Sequence, residues 1–215
     1  MREPIGQQEP KVTSSSGALI QAKADRFWNW FSKNARDLAA QAGSPSLQAE
    51  LTNRLQAVSE NLVWQAEKVG TIWQFEVSAD GDLALFPVVE ELVSLAPEIP
   101  GWKILAFRQR DPNVRSISFQ GASLSAENVR FSAVDFGDQV DLILFIRGDA
   151  ATAQSERTRS AAILLIDGLV GEFEAATKIR CLDTAPSAHS TSDSLPLLEL
   201  GRVLSTKRGI YKRNR

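Results

Sequence analysis

The stretch Ala161-Ala162-Ile163-Leu164-Leu165-Ile166-Asp167-Gly168-Leu169-Val170-Gly171-Glu172-Phe173 constrains the fold of this chain more than any other. At about 100° per residue, Ser160, Asp167, Gly171, Glu174 and Lys178 fall on one narrow stripe, and the rest of the first three turns is apolar or small. The pattern predicts a helix from about Ser155 to Ala176, covered over most of its circumference, with Asp167 on the stripe left to solvent. Glu172 breaks the pattern. It falls among Ala161, Leu165, Gly168 and Leu169, on the face opposite the polar stripe.

Before this helix the period of the sequence changes several times. From Asp25, which fits an N-cap, Phe27, Trp30, Phe31 and Leu38 follow helical spacing, with Trp28 on a different side. Gly43-Ser44-Pro45-Ser46 interrupts, and Leu47, Leu51, Leu55, Val58 and Leu62 then recur as on a second helix. So short a link predicts an antiparallel helical hairpin over residues 25–67, ended by Gly70. Trp73, Phe75 and Val77 alternate with Gln74, Glu76 and Ser78 as in a half-buried strand. Asp80-Gly81 reads as a hairpin turn returning through Leu83 to Phe86, and Pro87 opens a helix that Pro97 and Pro100 end. Trp102 to Arg108, Ser116 to Gln120, Val129 to Val134, Val140 to Arg147 and Lys178 to Leu182 read as further strands. No internal repeat is visible.

This order predicts an α+β fold, with an antiparallel or mixed sheet, helices packed on one face and the helical hairpin in front. A ferredoxin-like order fits its centre. Three regions are expected: a mobile N-terminal segment (1–23), a single domain (24–183), and a tail (184–215) that is first Ser/Thr/Pro-containing and then basic. Within that tail Leu195 to Leu204 is apolar enough to dock as a helix.

Composition excludes more than it assigns. With 215 residues, 43% apolar and 23% charged, the chain matches an ordinary globular domain. No apolar run approaches the roughly 18 residues of a membrane span, and the N-terminus lacks a secretory signal, so a cytoplasmic location is expected. One cysteine, Cys181, and one histidine, His189, leave no internal disulfide and no zinc site built from four such ligands. Neither GxxxxGK[ST] nor GxGxxG occurs. No cofactor and no metal are implied. The net charge of −2 is unevenly spread. Arg202, Lys207, Arg208, Lys212, Arg213 and Arg215 follow Gly201 with no acidic residue among them, so an acidic body carries a basic end.

Four pieces carry a resemblance: Phe27-Trp28-Asn29-Trp30-Phe31; Val77-Ser78-Ala79-Asp80-Gly81; Phe86-Pro87 with Val89, Leu92, Val93, Ala96 and Pro97; and Leu165 with Asp167-Gly168-Leu169 and Gly171-Glu172. Across residues 27–180 the chain resembles a family of uncharacterised, stand-alone bacterial α+β proteins. The resemblance implies bacterial origin and carries over no catalytic or binding residue.

Four side chains stand out as candidates for interaction or ligand contact: Glu172, Arg108, Trp28 and Tyr211. Glu172 is either a functional carboxylate or a structural one near a helix end, paired with Arg108, Arg147 or a tryptophan N–H. Trp28 is either an exposed anchor for a partner or packed on a neighbouring helix. Tyr211 sits among basic residues as a stacking group. No catalytic residue is assigned. Three functions follow: a non-catalytic protein–protein interaction domain (adaptor, accessory or immunity-like factor), whose acidic body suits a basic target; a hydrolase or transferase using Glu172 with Arg108 and Asp167; and a nucleic-acid binder acting through the basic tail.

Overall fold

The computed structural model describes residues 15–111 and 113–211, with side chains from Leu19 on. Residues 1–14 of the expected mobile segment, and Lys212, Arg213 and Arg215 of the basic end, lie outside the described residues. The first helix, α1 (Ser15–Ala40), reaches back into that segment. Ala18 and Ala22 favour helix there, Ala24 just beyond it is fully enclosed, and Lys23 Nζ donates to the Val58 carbonyl at 2.9 Å.

Helix α2 spans Pro45–Gln56. Leu51, Leu55, Val58 and Leu62 are all buried as expected, but the helix ends at Gln56. Residues 63–67, expected within the helical hairpin, belong to strand β1 (Val63–Val69), paired antiparallel with β2 (Ile72–Ser78). Gly70, at φ +63°, opens the two-residue hairpin loop instead of ending a helix. Asp80-Gly81 forms a turn with positive φ at both residues (52° and 81°), yet no strand returns from it. Asp82 accepts the Ala84 N–H at 2.9 Å, and the chain coils through Leu83–Leu85 into α3 (Phe86–Ser94). Strand β3 (Trp102–Ala106) then pairs with β2 in parallel.

The three helices cover one face of this sheet. Phe75 is the hub of its core, with its ring centroid 4.9 Å from Phe31, 5.9 Å from Trp64 and 6.4 Å from both Phe27 and Trp28. Aromatic pairs at such distances add to the area they bury.

The second half begins with a small hairpin, β4 (Ser116–Phe119) and β5 (Ala122–Ser125), closed by Gln120-Gly121. Strands β6 (Arg130–Phe136) and β7 (Gln139–Ile146), both expected as strands, pair as a hairpin. A short α4 (Ala150–Ala153) leads to α5 (Glu156–Val170) and α6 (Glu172–Lys178), and then to β8 (Ile179–Pro186), parallel to β7. The long helix expected from Ser155 to Ala176 is thus two. Gly171, at φ +89° and ψ 144°, breaks it, a conformation open in practice to glycine alone.

Residues 195–211, assigned above to the tail, fold back onto the domain. Strand β9 (Leu195–Pro196) joins β6, and α7 (Leu200–Ser205) buries Leu200 and Leu204 beside Leu197. The strands divide among three sheets, ordered β1-β2-β3, β4-β5 and β8-β7-β6-β9. In the first and the last, a hairpin is followed by helix and by a third strand parallel to the hairpin's second. The repeat is one of topology, with no trace in sequence. The fold is α+β with mixed sheets and an N-terminal helix pair, and no helix among the described residues is long and apolar enough to cross a membrane.

Candidate functional site

The site is organised by a strained residue. Beyond β3, Phe107 sits at φ +67°, a left-handed conformation that costs a bulky residue about 1–2 kcal/mol. Burial holds it there: the ring is 2% exposed and packs 4.3 Å from Phe86 and 5.6 Å from Phe173. Its N–H donates to the Val77 carbonyl at 2.7 Å, and Gln109 Nε2 donates back to the carbonyls of Ala106 and Phe107 at 2.9 and 3.0 Å. The turn sends two successive N–H groups to two different carboxylates. Arg108 N–H reaches Glu172 Oε2 at 2.9 Å, and Gln109 N–H reaches Glu76 Oε2 at 3.2 Å.

Glu172 belongs to a structural clamp. The break at Gly171 makes it the first residue of α6, fully enclosed. Its Oε1 accepts the N–H groups of Ala79 and Gly81, both at 3.0 Å, and its own N–H donates to the Arg108 carbonyl at 3.0 Å. The partner is therefore the Arg108 backbone, not its guanidinium. That guanidinium donates to Asp167 Oδ2 at 3.0 Å and to Asp80 Oδ1 at 2.6 Å.

Asp167, placed on the wet stripe by helical periodicity, is in fact 4% exposed. The stripe docks on the Arg108 loop, with Asp111 N–H bonded to the Gly168 carbonyl at 2.8 Å. Burial pushes the Asp167 pKa up to about 6 against the pull of Arg108, with the charges of Glu172 and Asp80 adding to the rise. For Arg108, burial acts downward, but the bond to Asp80 and the charges of Asp167, Asp80 and Glu172 hold its pKa above the ordinary value. The two directions are compatible, since Arg108 has three acidic neighbours and Asp167 has one cation.

The other two candidates are packed. Trp28 is 3% exposed and donates from Nε1 to the Leu92 carbonyl at 2.8 Å, so it touches α3 and offers no exposed ring. Tyr211 lies 5.2 Å from Phe86 and 5.8 Å from Phe173, and its hydroxyl donates to Glu90 Oε2 at 2.9 Å. Lys207, farther up the basic end, pairs with Asp135 and donates to the Gly137 carbonyl. No three or more His, Cys, Asp or Glu side chains among the described residues are grouped to hold a metal ion.

Glu76 was not among the sequence candidates. Strand alternation turns Phe75 and Val77 toward the aromatic core, so Gln74 and Glu76 face the other way, level with Glu67 and Gln65 of β1. There a cleft of about 730 Å³ opens between this polar floor and a wall of Val114, Ile117 and Leu164, with Arg110, Asp111 and Asn113 at the rim. Glu76 is 2% exposed. Burial raises its pKa, the bonds from Gln109 and Gln65 and the charge of Arg108 lower it, and Glu67 adds to the rise. Gln65 Nε2 donates to Oε2 at 2.5 Å, the oxygen that Gln109 N–H also uses.

Oε1 receives no hydrogen bond from the described residues. Glu76 is itself one of the residues that line the cleft. The alternation signals a polar face; nothing in the sequence signals that α5 and β4 roof it. No family model, no curated protein and no solved structure matches the chain.

Proposed function

We propose that this chain is a non-catalytic domain of a bacterial cytoplasmic protein that takes a segment of another protein into the cleft above Glu76, acting as an adaptor, accessory or immunity-like factor. The observation that carries the reading is the unengaged Oε1 of Glu76 in a cleft of about 730 Å³. Ligand sites of about 300–1,000 Å³ with a few convergent polar groups on partly apolar walls are the usual pattern. Against a hydrolase or transferase built on Glu172 stands its full enclosure by backbone N–H groups, which leaves substrate no approach. Against nucleic-acid binding through the tail stand the pairing of Lys207 with Asp135 and of Arg202 with Glu199.

The test is capture of partners by the tagged chain from lysate, with and without nuclease. Two variants run beside it: Ser118→Trp, which fills the cleft from an exposed position on β4, and a triple change of Lys212, Arg213 and Arg215 to Ser. A stoichiometric protein that survives nuclease and is lost with Ser118→Trp is the expected result. Capture indifferent to Ser118→Trp, or nucleic acid lost with the triple change, overturns the reading.

A further inference from the structure

The polarity inside the cleft is graded. At the floor, Glu76 lines the cavity with both of its bonds from described residues on Oε2 and none on Oε1, and Glu67 stands on the same sheet face opposite Gln74. The wall of Val114, Ile117 and Leu164 is apolar. Among the described residues no cation is bonded to Glu76: the Arg108 guanidinium, whose charge is felt there, is bonded to Asp80 and Asp167. Arg110, at the rim, makes no hydrogen bond or ion pair with the described residues.

We propose that the Glu76 cleft recognises a primary ammonium or guanidinium group on an unbranched apolar stem, the end of a lysine or arginine side chain presented by the partner. This rests on the reading of the cleft as the binding surface and names the chemistry it selects. A carboxylate withdrawn from water gains most from a ligand that brings both charge and N–H donors. Methylene stems of lysine and arginine lie readily along apolar walls while the charged end meets its partner. Gln65 and Gln109 fix Oε2, which leaves Oε1 preorganised for the incoming donor.

The experiment is titration of the purified full chain, followed by the NMR shifts of the Gln109 backbone amide and the Gln65 side-chain amide. The probes are lysine capped as N-acetyl methylamide, its Nε-acetyl form, pentane-1,5-diamine, and a capped Gly-Ala-Lys-Ala-Gly peptide. Capped lysine is expected to move both signals, the Nε-acetyl form to bind at least about tenfold more weakly, and Glu76→Gln to weaken capped lysine by a similar factor. The peptide is expected to bind more tightly than the diamine, which assigns the cation to a protein segment.

Equal binding of the Nε-acetyl form, or binding of capped lysine unaffected by Glu76→Gln, overturns the proposal; tighter binding of the diamine than of the peptide overturns the protein source. In the capture experiment, a partner lost with Ser118→Trp but retained by Glu76→Gln refutes the cation and leaves the binding cleft standing. A partner retained by both variants refutes the cleft itself.

Discussion

Glu172 Oε1 accepts the backbone N–H of Gly81 at 3.0 Å, across 91 residues of sequence. With the bonds from Ala79 and Arg108, this one carboxylate fixes α6 against the ends of β2 and β3. The clamp also positions Arg108 and Gln109 in the lining of the Glu76 cleft, because they divide their N–H groups between the two glutamates.

Replacing Glu172 by Gln puts an NH₂ group against at least one buried N–H donor. The unfolding free energy is expected to fall by about 2–3 kcal/mol, since hydrogen bonds to charged groups are the stronger kind. Urea denaturation measures it. A loss under about 0.5 kcal/mol would show that the clamp is not structural.

Asp167 should make the protein less stable toward neutral pH. Its folded pKa is raised from 3.8 to about 6 by burial, so the folded state holds the proton more tightly than the unfolded chain. That contribution is complete below about pH 4 and is lost as pH rises through about 6, a loss of about 1 kcal/mol between about pH 5 and 7.5. Glu76, raised in the same direction, adds to the slope. Urea midpoints across this range should decline for the wild type and flatten with Asp167→Asn; an unchanged slope in that variant would assign the effect elsewhere.

Gly171→Ala forces a side chain to φ +89°. The expected destabilisation is about 1–3 kcal/mol, read as a lower melting temperature. An unchanged melting temperature would mean that α5 and α6 can join as one helix without disturbing the clamp.

Glu76→Gln should behave in the opposite way. It removes a desolvated charge while keeping an oxygen for Gln65 and Gln109, so stability at pH 7 is expected to change by no more than about 0.5 kcal/mol or to rise. A loss above about 2 kcal/mol in urea would mark Glu76 as a structural group.

Tyr211→Phe keeps the ring against Phe86 and Phe173 and deletes the hydroxyl bond to Glu90. A loss of about 1 kcal/mol is expected. If the variant also bound nucleic acid more weakly, the chain's basic end would need to be reconsidered as a binding element.

Where residues differed from their sequence reading, competing signals were nearly balanced. Residues 63–69 carry Trp64, Ala66 and Val69 at spacings that suit helix or strand, and the antiparallel pairing with β2 decided for strand. Asp80-Gly81 has the composition of a hairpin turn, but the Gly81 N–H is directed at Glu172 and the Asp80 N–H at Ser78 Oγ, and Asp82 caps a helical turn where a strand would start. Asp167 was misplaced because helical periodicity says which residues share a face and not what that face meets, whereas Trp28 took the packed one of its two readings, against α3.

What the sequence determined by itself was the kind of molecule: an α+β chain, with the aromatic residues of α1, the alternating β2 and the apolar α5 in its core. Hydrophobic period is local, so it survives without coordinates. The tertiary structure alone decided the site. Glu76 reads in sequence as one more polar residue on the wet side of a strand, and in the structure it is a buried carboxylate on the floor of a cleft that Val114, Ile117 and Leu164 also line. Desolvation and hydrogen-bond supply are set by residues distant in the chain, and no window along the sequence contains them.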